Sequence, residues 1–99
     1  MNRDQFEQRM QEKGYGNAEV KTYPPNTDGP MHTHDVSVMA LVLSGEITLA
    51  LEESSTTYAV GEWCELPAGT LHTERTGASG ARSEEHTSEL QSQFRISYA

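Results

Sequence analysis

Short apolar runs of strand length, separated by glycine and proline turns, occupy the middle of this 99-residue chain and restrict its fold most strongly. Val36–Leu43 is one such run, and Ser44–Glu46 is expected to turn it into a second run over Ile47–Leu51. Further runs bounded by turns are Thr57–Val60, Trp63–Leu66 and Leu71–Arg75. Short strands at this spacing predict an all-β sandwich or barrel rather than an α/β fold.

The N-terminal segment has a helical pattern instead. Asn2–Lys13 is polar, carries Phe6 and Met10 four residues apart, and is followed by Gly14. This pattern predicts a short amphipathic helix that ends at the glycine and lays a small apolar stripe on a larger body. We therefore expect residues 1–17 to form a helix and a linker.

A weakly alternating stretch, Ala18–Tyr23, follows this linker and ends at two prolines. Proline cannot donate a ladder hydrogen bond, so the stretch is predicted to be an edge strand. It begins the predicted β-barrel, which we expect to cover residues 18–81.

The C-terminal segment differs in character from the rest of the chain. From Arg82 it has no usable hydrophobic period, and it resembles the in-frame translation of a sequencing-library adapter. We therefore predict that residues 82–99 are a non-native or disordered tail, that the authentic sequence is interrupted near Ala81, and that His86 has no functional role. A Ser/Glu-rich disordered tail of biological origin is the alternative. The alternating apolar residues at its end suit an edge strand; they are Phe94, Ile96 and Tyr98.

Composition excludes several classes of partner. The formal charge of −8 makes nucleic acid and anionic membranes poor partners. The single cysteine, Cys64, cannot form an intrachain disulfide, is typical of a reducing cytoplasm, and is expected to be a small core filler. Because the sequence has no apolar run of membrane-spanning length and no signal peptide, we expect a soluble cytoplasmic protein.

Three histidines carry the chemistry of the chain. His32 and His34 are two residues apart, so they would share one face of a strand. His72 follows a Pro-x-Gly turn about forty residues later. Three neutral imidazoles converging from two hairpins would hold a divalent transition metal and leave positions open for water or a ligand.

These segments resemble the two sequence motifs of the cupin superfamily. His32-Thr33-His34 followed by Gly45 matches the first motif, and the second is matched by Gly61, Pro67-x-Gly69 and His72. The resemblance covers Asn26–Thr76 and implies a small double-stranded β-helix, a jelly-roll barrel that often dimerises. It also implies one metal inside the barrel, with His32, His34 and His72 as ligands. A structural role is more usual for a lone histidine, but it does not explain why all three of the domain's histidines fall on ligand positions.

The chain also departs from this pattern. The family's glutamate ligand would fall at Val38 and its closing asparagine at Thr76. Glu74, which shares strand parity with His72, and Asp35, which adjoins His34, are the acidic residues able to substitute. For each we favour an orienting role at the rim over direct coordination. Glu74 is also the one candidate acid or base inside the pocket.

Strand parity describes the predicted pocket. If His32 and His34 face inward, an apolar wall follows beside the metal, formed by Val36, Val38, Ala40 and Val42. The opposite face, with Met39, Leu41 and Leu43, needs a cover. The N-terminal helix and a second subunit in a homodimer are the two alternatives.

Two functions fit these features. The first is a metal-dependent enzyme, an oxygenase or isomerase that acts on a small molecule. The second is a non-catalytic module that binds or senses a small molecule. The ligand types do not distinguish Fe, Mn, Zn, Ni and Cu, because selectivity among these metals depends on geometry and supply.

Overall fold

The computed structural model describes residues 1–88. Helix α1 (Arg3–Glu12) precedes five strands, which are β1 (Tyr15–Tyr23), β2 (Val38–Ala50), β3 (Ser55–Ala59), β4 (Trp63–Leu66) and β5 (Thr73–Ser88). All pairings between these strands are antiparallel. The sheet order is β1-β5-β2-β3, and β4 also pairs with β2. The predicted all-β class with a short N-terminal helix is confirmed.

Helix α1 has well-formed ends. The side chain of Asn2 accepts a hydrogen bond from the Gln5 backbone at 2.8 Å, and the Gln5 side chain accepts one from the Asn2 backbone at 3.0 Å. This reciprocal capping box satisfies two donors that the first turn would otherwise leave free. After Lys13, Gly14 adopts a φ of 78°, the left-handed conformation that often ends helices. The predicted helix and its glycine stop are confirmed.

The helix covers the outer face of the sheet. Phe6 and Met10 are fully buried against Met39 and Leu41. Burial of each large apolar side chain contributes about 1.5–3 kcal/mol, so this contact stabilises both the helix and the strand beneath it. Of the two predicted covers for this face, the structure provides the helix, and the homodimer stays a prediction.

One predicted turn is wrong. Ser44–Glu46 does not reverse the chain, because β2 continues through it from Val38 to Ala50. Gly45 instead adopts a φ of 69° at a bulge, where the register between β2 and β5 shifts. It lies against Gly80, which has a φ of 64°. A glycine with positive φ serves a bulge as well as a turn, so the local sequence does not distinguish them.

The C-terminal segment also differs from expectation. Arg82–Ser88 is not disordered but continues β5, paired with β1 on one side and β2 on the other. Strand ladders form through backbone groups, so a polar sequence joins the sheet when two strands flank it. The adapter origin stays a prediction. Residues 89–99, with the alternating Phe94, Ile96 and Tyr98, lie outside the described residues.

Two polar side chains of Arg82–Ser88, Glu84 and His86, form hydrogen bonds beneath helix α1. Glu84, 2% exposed, accepts a hydrogen bond from Arg3 Nε at 2.5 Å, and its other oxygen lies 3.1 Å from His86 Nε2. The His86 ring makes an edge contact with Phe6 at a centroid distance of 5.4 Å. His86 therefore has a packing role on the outer face of the sheet.

The inner face of the sheet holds the second apolar cluster. Its buried members are Val38, Val42, Ile47, Leu49, Leu66 and Ala81. The partly buried Tyr23, Tyr58 and Cys64 pack against them. Most of these residues also line a cavity that includes His34. No helix within residues 1–88 is long and apolar enough to span a bilayer.

Candidate metal centre

His32 and His72 are directly opposite each other across an isolated antiparallel bridge. Each backbone N–H donates to the carbonyl oxygen of the other residue, at 2.8 Å from His32 and 3.0 Å from His72. Residues paired in this way project their side chains to the same face. The two imidazole rings accordingly lie with centroids 4.4 Å apart.

His34 joins them through the Pro-x-Gly turn. Gly69, with a φ of 83°, donates its backbone N–H to the His34 carbonyl oxygen at 2.9 Å. The His34 ring lies 5.0 Å from the ring of His32 and 5.0 Å from that of His72. The structure thus brings together the three histidines that the sequence singled out.

Backbone carbonyl groups fix the tautomers of two of these rings. Nδ1 of His32 lies 2.8 Å from the Pro30 oxygen, and Nδ1 of His72 lies 2.9 Å from the Thr70 oxygen. A carbonyl oxygen only accepts, so each Nδ1 carries the hydrogen and each neutral ring has its lone pair on Nε2. Such bonds commonly orient histidines that bind metals through the other nitrogen.

One buried nitrogen in this group has no hydrogen-bond partner. His72 Nε2 is buried and makes no hydrogen bond within the described chain. Leaving a buried acceptor unsatisfied costs about 1–3 kcal/mol, so such atoms usually have a functional explanation. A cation beside Nε2 would satisfy this lone pair.

Glu74 lies next to these two nitrogens. Its Oε2 is 3.3 Å from His32 Nε2, and its Oε1 is 3.5 Å from His72 Nε2. One ligand atom from each of His32, His34, His72 and Glu74 lies within 4.8 Å of the other three. Asp35, the other acidic candidate, is not a member of this group.

The spacing and donor types of this group fit a divalent transition metal. Metal–nitrogen bonds of about 2.1 Å place the ligand atoms of one ion about 3.0–4.2 Å apart, close to the separations found here. Imidazole nitrogen and carboxylate oxygen are common ligands of such ions. The three histidines would hold the ion, with Glu74 beside them, and the buried lone pair of His72 supports that fit.

Burial favours the neutral form of the His34 ring, which is the form that binds metal ions. Desolvation, and then the neighbouring His72 and His32, lower the pKa of His34 below its usual value. A lowered pKa keeps the ring neutral at neutral pH, and only the neutral ring has a lone pair to donate.

A small apolar cavity opens beside the histidines. Its volume is about 20 Å³, enough for about one water-sized group. It is lined by His34, Val38, Ala40, Val42, Ile47, Leu49, Leu66, Tyr23, Tyr58, Cys64, Glu74 and Glu85. Of the predicted wall, Val38, Ala40 and Val42 lie on the cavity, whereas Val36 lies in the bend before β2 and is not among the lining residues.

Sequence reasoning did not anticipate one polar contact of this cavity. Tyr23, at the end of β1, donates its hydroxyl to Glu85 Oε2 at 2.8 Å. Burial, followed by the charge of Glu85, raises the pKa of Tyr23, so its hydroxyl stays protonated at neutral pH. No local signal marks this pair, because its members lie on strands that are far apart in the sequence.

We expect Cys64 to resist alkylation. Burial raises the pKa of its thiol to about 12, so little reactive thiolate is present at pH 8. Iodoacetamide at pH 8 should modify the folded protein at least about 100-fold more slowly than the urea-unfolded chain, as followed by mass spectrometry. Equal rates in the two states would contradict a buried, protonated thiol.

An antiparallel β-fold with a His/Glu group that could hold a metal ion places this chain in the class of small β-barrel domains. The family model of the cupin domain matches residues 19–82. The chain belongs to the cupin family. A search of curated protein sequences gives no match.

Solved structures share this fold, and one of them is named as a cupin. A protein of unknown function from Rhizobium leguminosarum is 24% identical with a TM-score of 0.68, over 72% of this chain and 67% of that one. A cupin-2 domain containing protein from Shewanella frigidimarina is 18% identical with a TM-score of 0.63, over 74% and 69%. The DMSP lyase DddQ from Ruegeria pomeroyi is 22% identical with a TM-score of 0.66, over 72% of this chain but 36% of the lyase. The predicted jelly-roll fold is confirmed.

Proposed function

We propose that this cupin domain holds one divalent transition metal through His32, His34 and His72 and binds a small organic ligand beside it. The observation that carries the proposal is the buried Nε2 of His72, which has no hydrogen-bond partner and faces a carboxylate oxygen. A buried histidine with a purely structural role would use both ring nitrogens. Here one is bonded to the backbone and the other is directed at the centre of the cluster.

The chemistry of such a centre defines the candidate reactions. A bound dication polarises a carbonyl or enolate oxygen and, where it is iron, activates dioxygen. We therefore propose an oxygenase or isomerase acting on a small molecule in the cytoplasm, with Fe, Mn, Zn, Ni and Cu as the candidate metals. The fold is compatible with catalysis, since one structural neighbour is a lyase.

The cavity limits the part of a ligand that enters the barrel. Its walls are mainly aliphatic, and its volume of about 20 Å³ admits a group of methyl or water size. His34 and Glu74 provide the polar end. A ligand of this site would direct an oxygen towards the histidines and insert a short apolar group between Val38 and Ala40.

A non-catalytic binding or sensing module is the second candidate. It is favoured by the position of Glu74, the one carboxylate proposed from the sequence as an acid or base. Both of its oxygens face histidine nitrogens, at 3.3 and 3.5 Å, so it is not held ready for proton transfer to a ligand.

Elemental analysis of the purified protein tests the metal site. We expect one transition metal ion per chain after reconstitution, and a folded chain that retains no stoichiometric metal would overturn the proposal. The iron- or manganese-loaded protein should then consume oxygen or convert a carbonyl compound in a metabolite screen if it is an enzyme. A ligand that raises the melting temperature without forming a product would identify the binding module instead.

A further inference from the structure

Glu74 lies beside the Nε2 atoms of His32 and His72, whereas a residue that orients these rings would contact their Nδ1 atoms. A carboxylate that orients a metal-bound histidine accepts a hydrogen bond from the ring nitrogen that does not bind the metal. In His32 and His72 that nitrogen is Nδ1, and backbone carbonyls of Pro30 and Thr70 already occupy it. The Glu74 oxygens lie beside the two Nε2 atoms instead.

A bound cation would account for the contacts between these atoms. With hydrogens on both Nδ1 atoms, neutral His32 and His72 direct Nε2 lone pairs at carboxylate oxygens, and two acceptors repel each other. Within residues 1–88 no arginine or lysine forms an ion pair with Glu74. The adjacent Arg75 pairs with Asp28 at 3.1 Å. A cation among the four residues would turn this repulsion into attraction.

The backbone holds Glu74 from both sides. It lies opposite Leu49 of β2, and its carbonyl oxygen accepts a hydrogen bond from Gly29 N at 3.2 Å on the other side. The neighbouring Thr73 donates its hydroxyl to the Gly29 oxygen. The carboxylate therefore projects from a strand that is held on both sides, a placement that fixes a side chain more precisely than a loop does.

We propose that Glu74 is the fourth metal ligand of the centre, an inference that rests on the metal site proposed above. Val38, at the place on β2 where the resemblance puts a glutamate, is buried among apolar residues and offers no oxygen. The ligand set is completed from β5, two residues after His72. This assignment replaces the acid, base or orienting role expected from the sequence. It lowers the net charge of the bound dication by one and leaves the remaining positions open to a ligand.

Cobalt titration tests this assignment, because the visible absorption of Co²⁺ reports its ligands directly. Metal-free wild-type protein, Glu74→Gln and Asp28→Asn are titrated with Co²⁺, and the affinity and the absorption spectrum are recorded. We expect Glu74→Gln to bind at least about 100-fold more weakly with a changed spectrum, more than the loss of an orienting group causes. Asp28→Asn removes an exposed carboxylate from the same ladder and should match the wild type.

The outcomes separate the two proposals. An unchanged Co²⁺ spectrum in Glu74→Gln, at any affinity, overturns the role of Glu74 while leaving the histidine site intact. Failure of the folded wild type to bind Co²⁺ overturns the metal site itself. If Glu74→Gln does not fold, Glu74→Ala is titrated with and without formate, whose carboxylate can occupy the vacated space. Recovery of the wild-type spectrum with formate supports the assignment, and a wild-type spectrum without formate overturns it.

Discussion

Replacing Gly45 by alanine should destabilise the protein by about 4 kcal/mol or more, a large part of the total for a small domain. Gly45 has a φ of 69°, which an L-residue adopts at a cost of about 1–2 kcal/mol. Its new methyl group would also overlap the carbonyl oxygen of Gly80 and lie 3.0 Å from Ala81 Cα. These are backbone atoms of the β2–β5 ladder, so relief of the overlap breaks strand pairing. Urea unfolding followed by circular dichroism measures the loss.

Gly69→Ala is the matched control for this prediction. Gly69 also has a positive φ, 83°, but no atom lies within 4 Å of the position that its Cβ would take. Alanine there should incur only the conformational cost, about 1–2 kcal/mol. Equal losses for the two variants would show that the contact between the glycines of β2 and β5 contributes nothing.

His72→Ala should abolish stoichiometric metal binding. The substitution removes the buried Nε2 and leaves Glu74 without one of its two histidine neighbours. Its effect should exceed the loss of about 10–100-fold in metal affinity that follows removal of a group hydrogen-bonded to a ligand. Metal content after dialysis, together with calorimetric titration of Zn²⁺ into the metal-free protein, measures it.

His86→Ala provides the comparison, because His86 is buried like His72 but lies within β5, on the opposite face of the sheet. This variant removes a neighbour of Glu84 and should lose stability without losing metal. If both histidine variants retain one ion per chain, the metal is bound elsewhere. If both lose it, the binding depends on the sheet as a whole and not on a particular imidazole.

Much of the fold could be predicted from local signals. The ends of α1 are indicated by Asn2 and Gly14, and its buried face by the spacing of Phe6 and Met10. The observed ends of the helix agree with the predicted ones to within a residue. The sequence also predicts the strand Trp63–Leu66 with its observed bounds. These elements are set by neighbours close in sequence, such as caps, turns and alternation, so a linear pattern contains the information.

Features that depend on distant partners could not be predicted in the same way. Gly45 serves a bulge because Gly80 lies across the ladder. Arg82–Ser88 joins the sheet because β1 and β2 flank it, despite a sequence without apolar alternation. The motif spacing indicates the three histidines. Which nitrogens of His32 and His72 face Glu74 depends on hydrogen bonds from their Nδ1 atoms to the carbonyls of Pro30 and Thr70, and these bonds have no sequence signature.

The bridge between His32 and His72 bears on the amount of protein a cell would contain. An ion bound by both His32 and His72 would link two parts of the chain that are distant in sequence. The single cysteine cannot provide such a link through an internal disulfide. Because the unfolded chain presents no assembled site, binding would favour the folded form in proportion to the free metal concentration. In metal-starved cells a larger fraction would be unfolded and open to proteases, so abundance itself would follow metal supply.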